Sequence, residues 1–538
     1  MVSKKQTKKK NIQMKASLAY TICSIVQKGL SFITMPIFTR LLTEEQYGQF
    51  SIYFSWSAII TIFTTLNLSY GTFSKAMVKF ESDRAQYIST VQFICLALST
   101  LLFLIYFPLR HYFNQLLGLP TFLVGIMLIE IAANFAILCW TGRNRFEYKY
   151  KSVIILTILM AVTSPALALL FVTTSAEKGY ARILGYAFVT IAVGLGFTIY
   201  NFVKGKNPFR KDMMKYAFGM NAVLIFYYLS QVIFNQSDRI MIDHMINRDT
   251  AAIYSVAYNL AIVLTFVIDA INNSYVPWLY GKIKKGEARD NKKISILLAI
   301  FISFLLLGII SLAPELIYVL AGPKYMQAKW VVAPIAMSLL LLFISQLFIN
   351  VEFFYEKKYF LIIASVASAL VNIGLNYWLI PIYGYVAAGY TTLASYILFA
   401  LCNYLAFVVL LKKQKAKNEM YNIKLLLLVV VVFMGIGFLA AFLYNYSIVR
   451  YIIIGVVLLT LAICSKWIYR YAKKFFKKKS ETEENTANQE ADTTQNNVEV
   501  QESTETQESI EAQESIEAQE SVETAEKEEA HEVKGTED

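Results

Sequence analysis

Lys28 sits in the middle of an apolar run, and a cation at a bilayer centre costs roughly 2.5–3.5 kcal/mol on insertion scales. Around it Ser17, Tyr20, Thr21, Ser24, Gln27, Ser31 and Thr34 recur every three or four residues, which places them on one stripe of a helix. The stripe offers a cation, an amide and hydroxyls to an anionic, hydroxyl-rich ligand. The same cation would equally suit a structural ion pair with an acid such as Asp269. Two later runs carry comparable stripes: Asn221, Tyr228, Gln231, Asn235 and Asp238 in one, Ser255, Tyr258, Thr265, Asp269 and Asn272 in the next. Asp269 and Glu130, both acids inside apolar runs, suit either an ion or proton site or a hydrogen bond between packed helices.

Enzyme chemistry finds little support. Neither Gly205-Lys206 nor Gly281-Lys282 has the earlier glycine or the following Ser or Thr of a nucleotide-binding loop. With His111, His244 and His531 as the only histidines, neither a HExxH zinc motif nor a Ser-His-Asp arrangement can be drawn. Cys23, Cys95, Cys139, Cys402 and Cys464 all lie in apolar runs without a CxxC pair, so no disulfide framework, metal or cofactor is expected. Glu44 and Glu45 could imitate the acidic pair of a membrane glycosyltransferase, yet they read better as a solvated turn between helices.

The elements that must position these residues are membrane helices. The chain has 538 residues, of which 57% are hydrophobic, and its mean hydropathy is +0.48. Apolar runs of about 20 residues, the length that crosses a bilayer as a helix, recur along it. Spans are expected at 17–39, 49–70, 87–108, 120–141, 152–173, 182–203, 217–237, 251–275, 294–313, 330–351, 359–380, 386–410, 423–443 and 449–469. The fold class is therefore all-α and polytopic, with about 14 transmembrane helices. Pro36, Pro165, Pro277, Pro334 and Pro381 fall within or at the edges of spans, where neighbouring helices tolerate kinks.

Charge supports this count. The basic N-terminus, the even-numbered connections and residues 466–479 hold 38 Lys and Arg, and the odd-numbered connections hold nine. The positive-inside rule then puts both termini in the cytoplasm of a bacterial inner-membrane protein. The net charge of +12 divides into −18 for residues 480–538 and +30 for the rest. Because the basic residues sit between apolar runs, they set orientation in a bilayer, and a nucleic-acid partner is not expected.

The chain also repeats itself. Leu42–Trp56 lies over Ile246–Leu260 at an offset of 204 residues, and Phe135–Ile154 lies over Phe343–Ile362 at 208. Both map one span onto the sixth after it, which points to two six-helix parallel-repeat lobes followed by two C-terminal helices. The expected organisation is a basic N-terminus (1–16), a first lobe (17–203), a cytoplasmic linker (204–216), a second lobe (217–410), two added helices with a basic juxtamembrane segment (411–479) and an acidic tail (480–538). The tail repeats QESTET, QESIEA, QESIEA and QESVET, with too few apolar residues to form a core.

Two stretches carry a resemblance. Asp238 to Asn259 (DRIMIDHMINRDTAAIYSVAYN) and Asn372 to Ser395 (NIGLNYWLIPIYGYVAAGYTTLAS) resemble those of bacterial polysaccharide-repeat-unit flippases, a branch of the multidrug/oligosaccharidyl-lipid/polysaccharide exporter superfamily. The likeness covers residues 10 to 475. It implies fourteen helices in two lobes and alternating access that carries a polyprenyl-pyrophosphate-linked oligosaccharide from the cytoplasmic to the outer leaflet for cell-surface polysaccharide synthesis. Under it, Lys28, Arg40 and Arg239 are the candidate anion contacts, with Gln27, Ser24, Asn235 and Gln231 lining the site, and Asp269 or Glu130 serving ion coupling. Partners would be the lipid-linked oligosaccharide, the membrane and a polysaccharide polymerase or glycosyltransferase. A cation-coupled multidrug exporter of the same superfamily and a membrane glycosyltransferase are the rival readings.

Overall fold

The computed structural model describes Gly29 and residues 32–69, 73–221, 224–356, 359–414 and 420–460; Ser24, Gln27 and Lys28 lie outside the described residues. The chain divides into two compact units, 1–450 and 451–538, and the helices that bear on function belong to the first. In order they are α1 (Phe32–Leu41), α2 (Glu44–Thr65), α3 (Phe73–Lys79), α4 (Arg84–Tyr106), α5 (Arg110–Leu117), α6 (Thr121–Phe146), α7 (Tyr150–Thr174), α8 (Lys178–Gly205), α9 (Lys211–Asn221), α10 (Leu224–Met245), α11 (Arg248–Ile262), α12 (Thr265–Lys284), α13 (Asn291–Ser311), α14 (Ala313–Leu320), α15 (Lys329–Phe354), α16 (Tyr359–Tyr383), α17 (Val386–Lys413) and α18 (Ile423–Phe442). A further apolar helix spans Ser447–Thr460. No strand occurs among the described residues.

Ten helical stretches among the described residues are long and apolar enough to cross a membrane. The four other expected spans fall on α1, α2, α10 and Ser447–Thr460. Of these, α2 and α10 are long enough, at 22 residues each, but carry many polar side chains. They also pack against one another.

Helix lengths repeat through the chain. α6 and α15 have 26 residues each, α7 and α16 have 25, and α8 and α17 have 28. The start of each member lies 208 or 209 residues from that of its partner. The caps repeat too. Thr43 begins α2 with a reciprocal capping box to Gln46, and Asn247, at the matching position, begins α11 by accepting from the Thr250 backbone N–H. The eight-residue helices α5 and α14 occupy equivalent connections. Each is followed by a left-handed glycine, Gly118 (φ 63°) and Gly322 (φ 89°), a conformation that only glycine adopts without a Cβ penalty.

Two expected spans need correction. Within the run at 251–275 the helical hydrogen bonding is interrupted at Val263–Leu264, between α11 and α12. Ser255 and Tyr258 are buried, whereas Asp269 is exposed. The run at 217–237 is displaced, because α10 continues through Asp238 and Arg239 to Met245 with both charged residues buried. The charges that seemed to end the span lie inside the helix bundle.

The core centres on α15. From Val331 to Glu352 every residue except Leu342 and Gln346 is buried, and small side chains such as Ala333, Ala336 and Ser338 let neighbouring helices approach closely. α11, α13 and α17 pack around it. The outer faces of α7, α16 and α18 expose Ile155, Leu159, Ile363, Leu370, Leu427 and Val431, as helices in contact with lipid tails require.

Candidate functional site

Asp238 ties four helices together. Its Oδ1 accepts from Asn376 Nδ2 on α16 at 2.6 Å, and its Oδ2 accepts from Thr392 Oγ1 on α17 at 2.7 Å and from the Tyr254 hydroxyl on α11. Asn376 Oδ1 in turn accepts from Thr391, and Ser237 Oγ donates to Asn372 Oδ1 at 3.1 Å. Asp238, Asn372, Asn376, Thr391 and Thr392 are all buried. Donors on both oxygens make a carboxylate tolerable in an apolar interior. The two stretches that carry the family resemblance therefore meet side chain to side chain at this hub.

A second arrangement joins the first half of the chain (32–203) to the second (224–413). Thr39 Oγ1 donates to the Leu320 carbonyl at 3.1 Å, Arg40 Nη2 to the Val319 carbonyl at 3.1 Å, and Lys324 Nζ to the Leu42 carbonyl at 2.5 Å. Arg248 Nη2 donates to the Gly118 carbonyl at 3.1 Å, and its guanidinium also grips Asp243. His244 Nε2 lies 2.7 Å from the Leu116 carbonyl. Two glycines make room for Arg248: a Cβ on Gly48 would lie 2.4 Å from its carbonyl oxygen, and one on Gly118 would lie 2.8 Å from Nη2. About two turns further in, Ser55 Oγ donates to Gln236 Oε1 at 3.0 Å.

This seam occupies one end of the helices, away from the lysine-rich connections. The shared apolar core lies at the same end, where Met35, Phe38, Leu42, Tyr47, Ile52, Ala168, Val172 and Ala181 of the first half join the large cluster of the second. At the basic end the first half has its own core around Phe73, Met77, Tyr87 and Val91, completed by Met213 and Ala217 of α9. Among the described residues no hydrogen bond joins the two halves there.

The sequence candidates fall in different places. Arg40 is exposed at the seam. Arg239 is buried, with its guanidinium 4.4 Å from the Tyr258 ring and bonded to Gln236 at 2.5 Å. Asn235 and Gln231 are partly exposed on α10; Asn235 accepts from Tyr258 at 2.7 Å, and Gln231 donates to Ser365 at 3.1 Å. Glu130 accepts from the Tyr53 hydroxyl at 2.7 Å. Glu44 and Glu45 occupy the first turn of α2, where the helix dipole favours acids.

Two buried charges escaped the sequence reading. Glu352 is 1% exposed, and neither carboxylate oxygen has a hydrogen-bond partner. Arg182 is 5% exposed, packs against the rings of Phe38, Tyr47 and Phe50, and leaves Nε and Nη1 unbonded. Arg182 sits at the start of an apolar run, where an arginine ordinarily reaches the interface, so nothing in the sequence marks it as buried. Among the described residues no group of His, Cys, Asp and Glu could hold a metal ion. Among the described residues the arrangement thus offers paired polar groups and a seam at one end of two repeated halves.

A family model described as "Polysaccharide biosynthesis protein" matches residues 14–281. Two proteins of Haemophilus influenzae are similar. One, an uncharacterized membrane protein, is 21% identical over 372 residues, with 67% of this chain and 89% of that protein covered. The other, Lsg locus putative protein 1, is 24% identical over 390 residues with the same coverage. Among solved structures, an inward-facing multidrug resistance MATE family transporter of the MOP superfamily superposes with a TM-score of 0.58 at 13% identity, covering 73% of this chain and 95% of that one. The lipid II flippase MurJ, in an inward closed conformation, superposes with a TM-score of 0.54 at 15% identity, covering 81% and 100%. At these identities the structural likeness is one of fold. The chain is a multi-pass membrane protein.

Proposed function

We propose that this chain, which belongs to the polysaccharide biosynthesis protein family within the multidrug/oligosaccharidyl-lipid/polysaccharide exporter superfamily, moves polyprenyl-pyrophosphate-linked oligosaccharides from the cytoplasmic to the outer leaflet of the inner membrane. The observation that supports this reading most is the one-sided seam. The excess of Lys and Arg assigns the basic end to the cytoplasm, with both termini on that side. The halves are then closed toward the outside, as a protein poised to accept cargo from the cytoplasm must be.

In this reading residues 17–203 and 217–410 rock as two lobes, and opening the seam while the basic ends close delivers the cargo outward. The sugar and pyrophosphate travel between the lobes while the polyprenyl tail stays in lipid. Lys28 is the principal anion contact, with Ser24 and Gln27 beside it, and Asn235 and Gln231 on α10 offer amides to the sugar. Arg40 holds the outer closure, and Arg239 orders α10 against α11. Asp269 and Glu130 are the candidate coupling groups. A glycosyltransferase would supply the cargo and a polymerase would consume it. The fold likeness extends to a multidrug transporter and a flippase alike, and it is the family match that favours a polysaccharide cargo.

The test is mass spectrometry of polyprenyl-linked glycans in cells depleted of the protein, combined with a leaflet-specific label. Completed repeat units confined to the cytoplasmic leaflet would support the flippase. Truncated glycans would indicate a transferase, and an unchanged lipid pool would indicate a drug exporter.

A further inference from the structure

Arg182 presents a physical problem that the transport reading does not solve. Its guanidinium is buried, Nε and Nη1 make no hydrogen bond, and among the described residues no carboxylate forms an ion pair with it. Removing an unpaired cation from water is costly. The rings of Phe38, Tyr47 and Phe50, with centroids at 4.4, 4.7 and 3.9 Å, offset only part of that cost and leave both nitrogens without acceptors. A second orphan shares the Tyr47 ring with it. The Tyr325 hydroxyl, contributed by the second half, is also buried without a partner, and the Tyr325 ring packs on Tyr47, which Arg182 also contacts.

The cage belongs to the seam. Phe38 precedes Thr39 and Arg40, which hold Leu320 and Val319, and the Tyr47 ring packs edge-on against Tyr325 with centroids 5.9 Å apart. The Tyr325 side is therefore the wall that leaves when the halves part. The repeat requires no cation here, because the position 208 residues on is Tyr390.

We propose that Arg182 marks an oxyanion site that the seam, with Tyr325 as its far wall, hides in this conformation and uncovers on outward opening, and that its ligand is a phosphate ester. This rests on the alternating-access reading above. Guanidinium is the group best shaped to take a phosphate with two parallel hydrogen bonds. Opening would relieve the unpaired charge and present it to an anion at the outer side at the same moment. The phosphate could be the pyrophosphate of the cargo at the point of release or the headgroup of an outer-leaflet phospholipid.

The experiment labels the full-length protein with phenylglyoxal, which reacts with accessible arginines, and follows Arg182 by peptide mass spectrometry. Wild type is compared with Gly48→Ala, whose Cβ would collide with Arg248, and with Arg248→Ala, which loses the bond to the Gly118 carbonyl. Opening is scored separately by the yield of cross-link between Leu116→Cys and His244→Cys. The expected result is roughly tenfold greater labelling in the opened variants and protection by inorganic pyrophosphate but not by chloride at equal ionic strength. Protection in phosphatidylglycerol nanodiscs without pyrophosphate would identify the lipid headgroup as the occupant; protection that requires pyrophosphate there as well would identify the cargo's phosphates. Equal labelling with the seam closed or open, or labelling that neither anion suppresses, would overturn the site.

Should both variants stay closed, Arg182→Met and Arg182→Lys decide the matter in cells. Export should fall in Arg182→Met, although the protein is at least as stable as wild type, and should partly recover in Arg182→Lys. Full export by Arg182→Met would overturn the proposal. Pyrophosphate protection in a protein that flips nothing would remove the transport reading and leave the anion site standing.

Discussion

The Asn376 side chain donates to the Asp238 carboxylate at 2.6 Å across 138 residues of sequence. Thr392 and Tyr254 complete the arrangement, so one buried acid orders α10, α11, α16 and α17. Removing the carboxylate would strand three donors in an apolar interior. Asp238→Leu should cost about 3–5 kcal/mol and deplete folded protein from the membrane, whereas Asp238→Asn, which keeps one acceptor oxygen, should cost less. Thermal unfolding in detergent checks this, and an unchanged midpoint for Asp238→Leu would show that the hub does not stabilise the fold.

The seam predicts a reversible lock. Thr39 donates to the backbone carbonyl of Leu320, so the two positions adjoin across the seam. The Thr39→Cys, Leu320→Cys double variant should cross-link under mild oxidation and stop export, and reduction should restore it. Continued export by the cross-linked protein would mean that these ends never separate.

Lys28 supplies a prediction independent of the seam. Lys28→Ala should abolish export while leaving the protein in the membrane, because losing a lone cation from an apolar run lowers the cost of insertion. Unchanged export would remove Lys28 from the cargo site, and protein lost from the membrane would make it a structural residue.

At the basic end, Glu147 follows α6 and joins Arg143 at 2.8 Å and Lys149 at 2.6 Å. Partial burial pushes its carboxyl upward, but hydrogen bonds and charge from Arg143 and Lys149 outweigh burial and hold it below its ordinary value. A depressed folded-state value means that the stabilisation is present above the unfolded value, about 4.3, and is lost as pH falls through the folded value. Glu147→Gln should therefore lower stability at neutral pH by under about 1 kcal/mol, given solvent screening, and the difference should vanish in acid. A difference that persists at low pH would contradict the ion-pair account.

Much of the architecture was legible because repeats and caps are local signals. The offsets of 204 and 208 recur in the paired caps Thr43 and Asn247 and in the left-handed residues Tyr148 and Glu356, with φ of 56° and 57°. The break between α11 and α12 was not legible, since Ile262, Val263 and Leu264 are apolar and neither Gly nor Pro marks the turn. Asp238 and Arg239 were mistaken for a helix end because sequence alone cannot show that Asn376, Thr392 and Tyr254 wait to receive the acid. The burial of Arg182 depends on ring contacts from three positions in the chain, which no local pattern reveals.

Transport itself is measured by reconstituting the full-length protein in liposomes that carry a fluorescent polyprenyl-pyrophosphate-linked oligosaccharide and adding a membrane-impermeant quencher. The protected inner pool should become quenchable with wild-type protein and stay protected with the oxidised Thr39→Cys, Leu320→Cys variant. An inner pool that remains protected with wild type, or that is exposed equally by the locked variant, would contradict the transport reading.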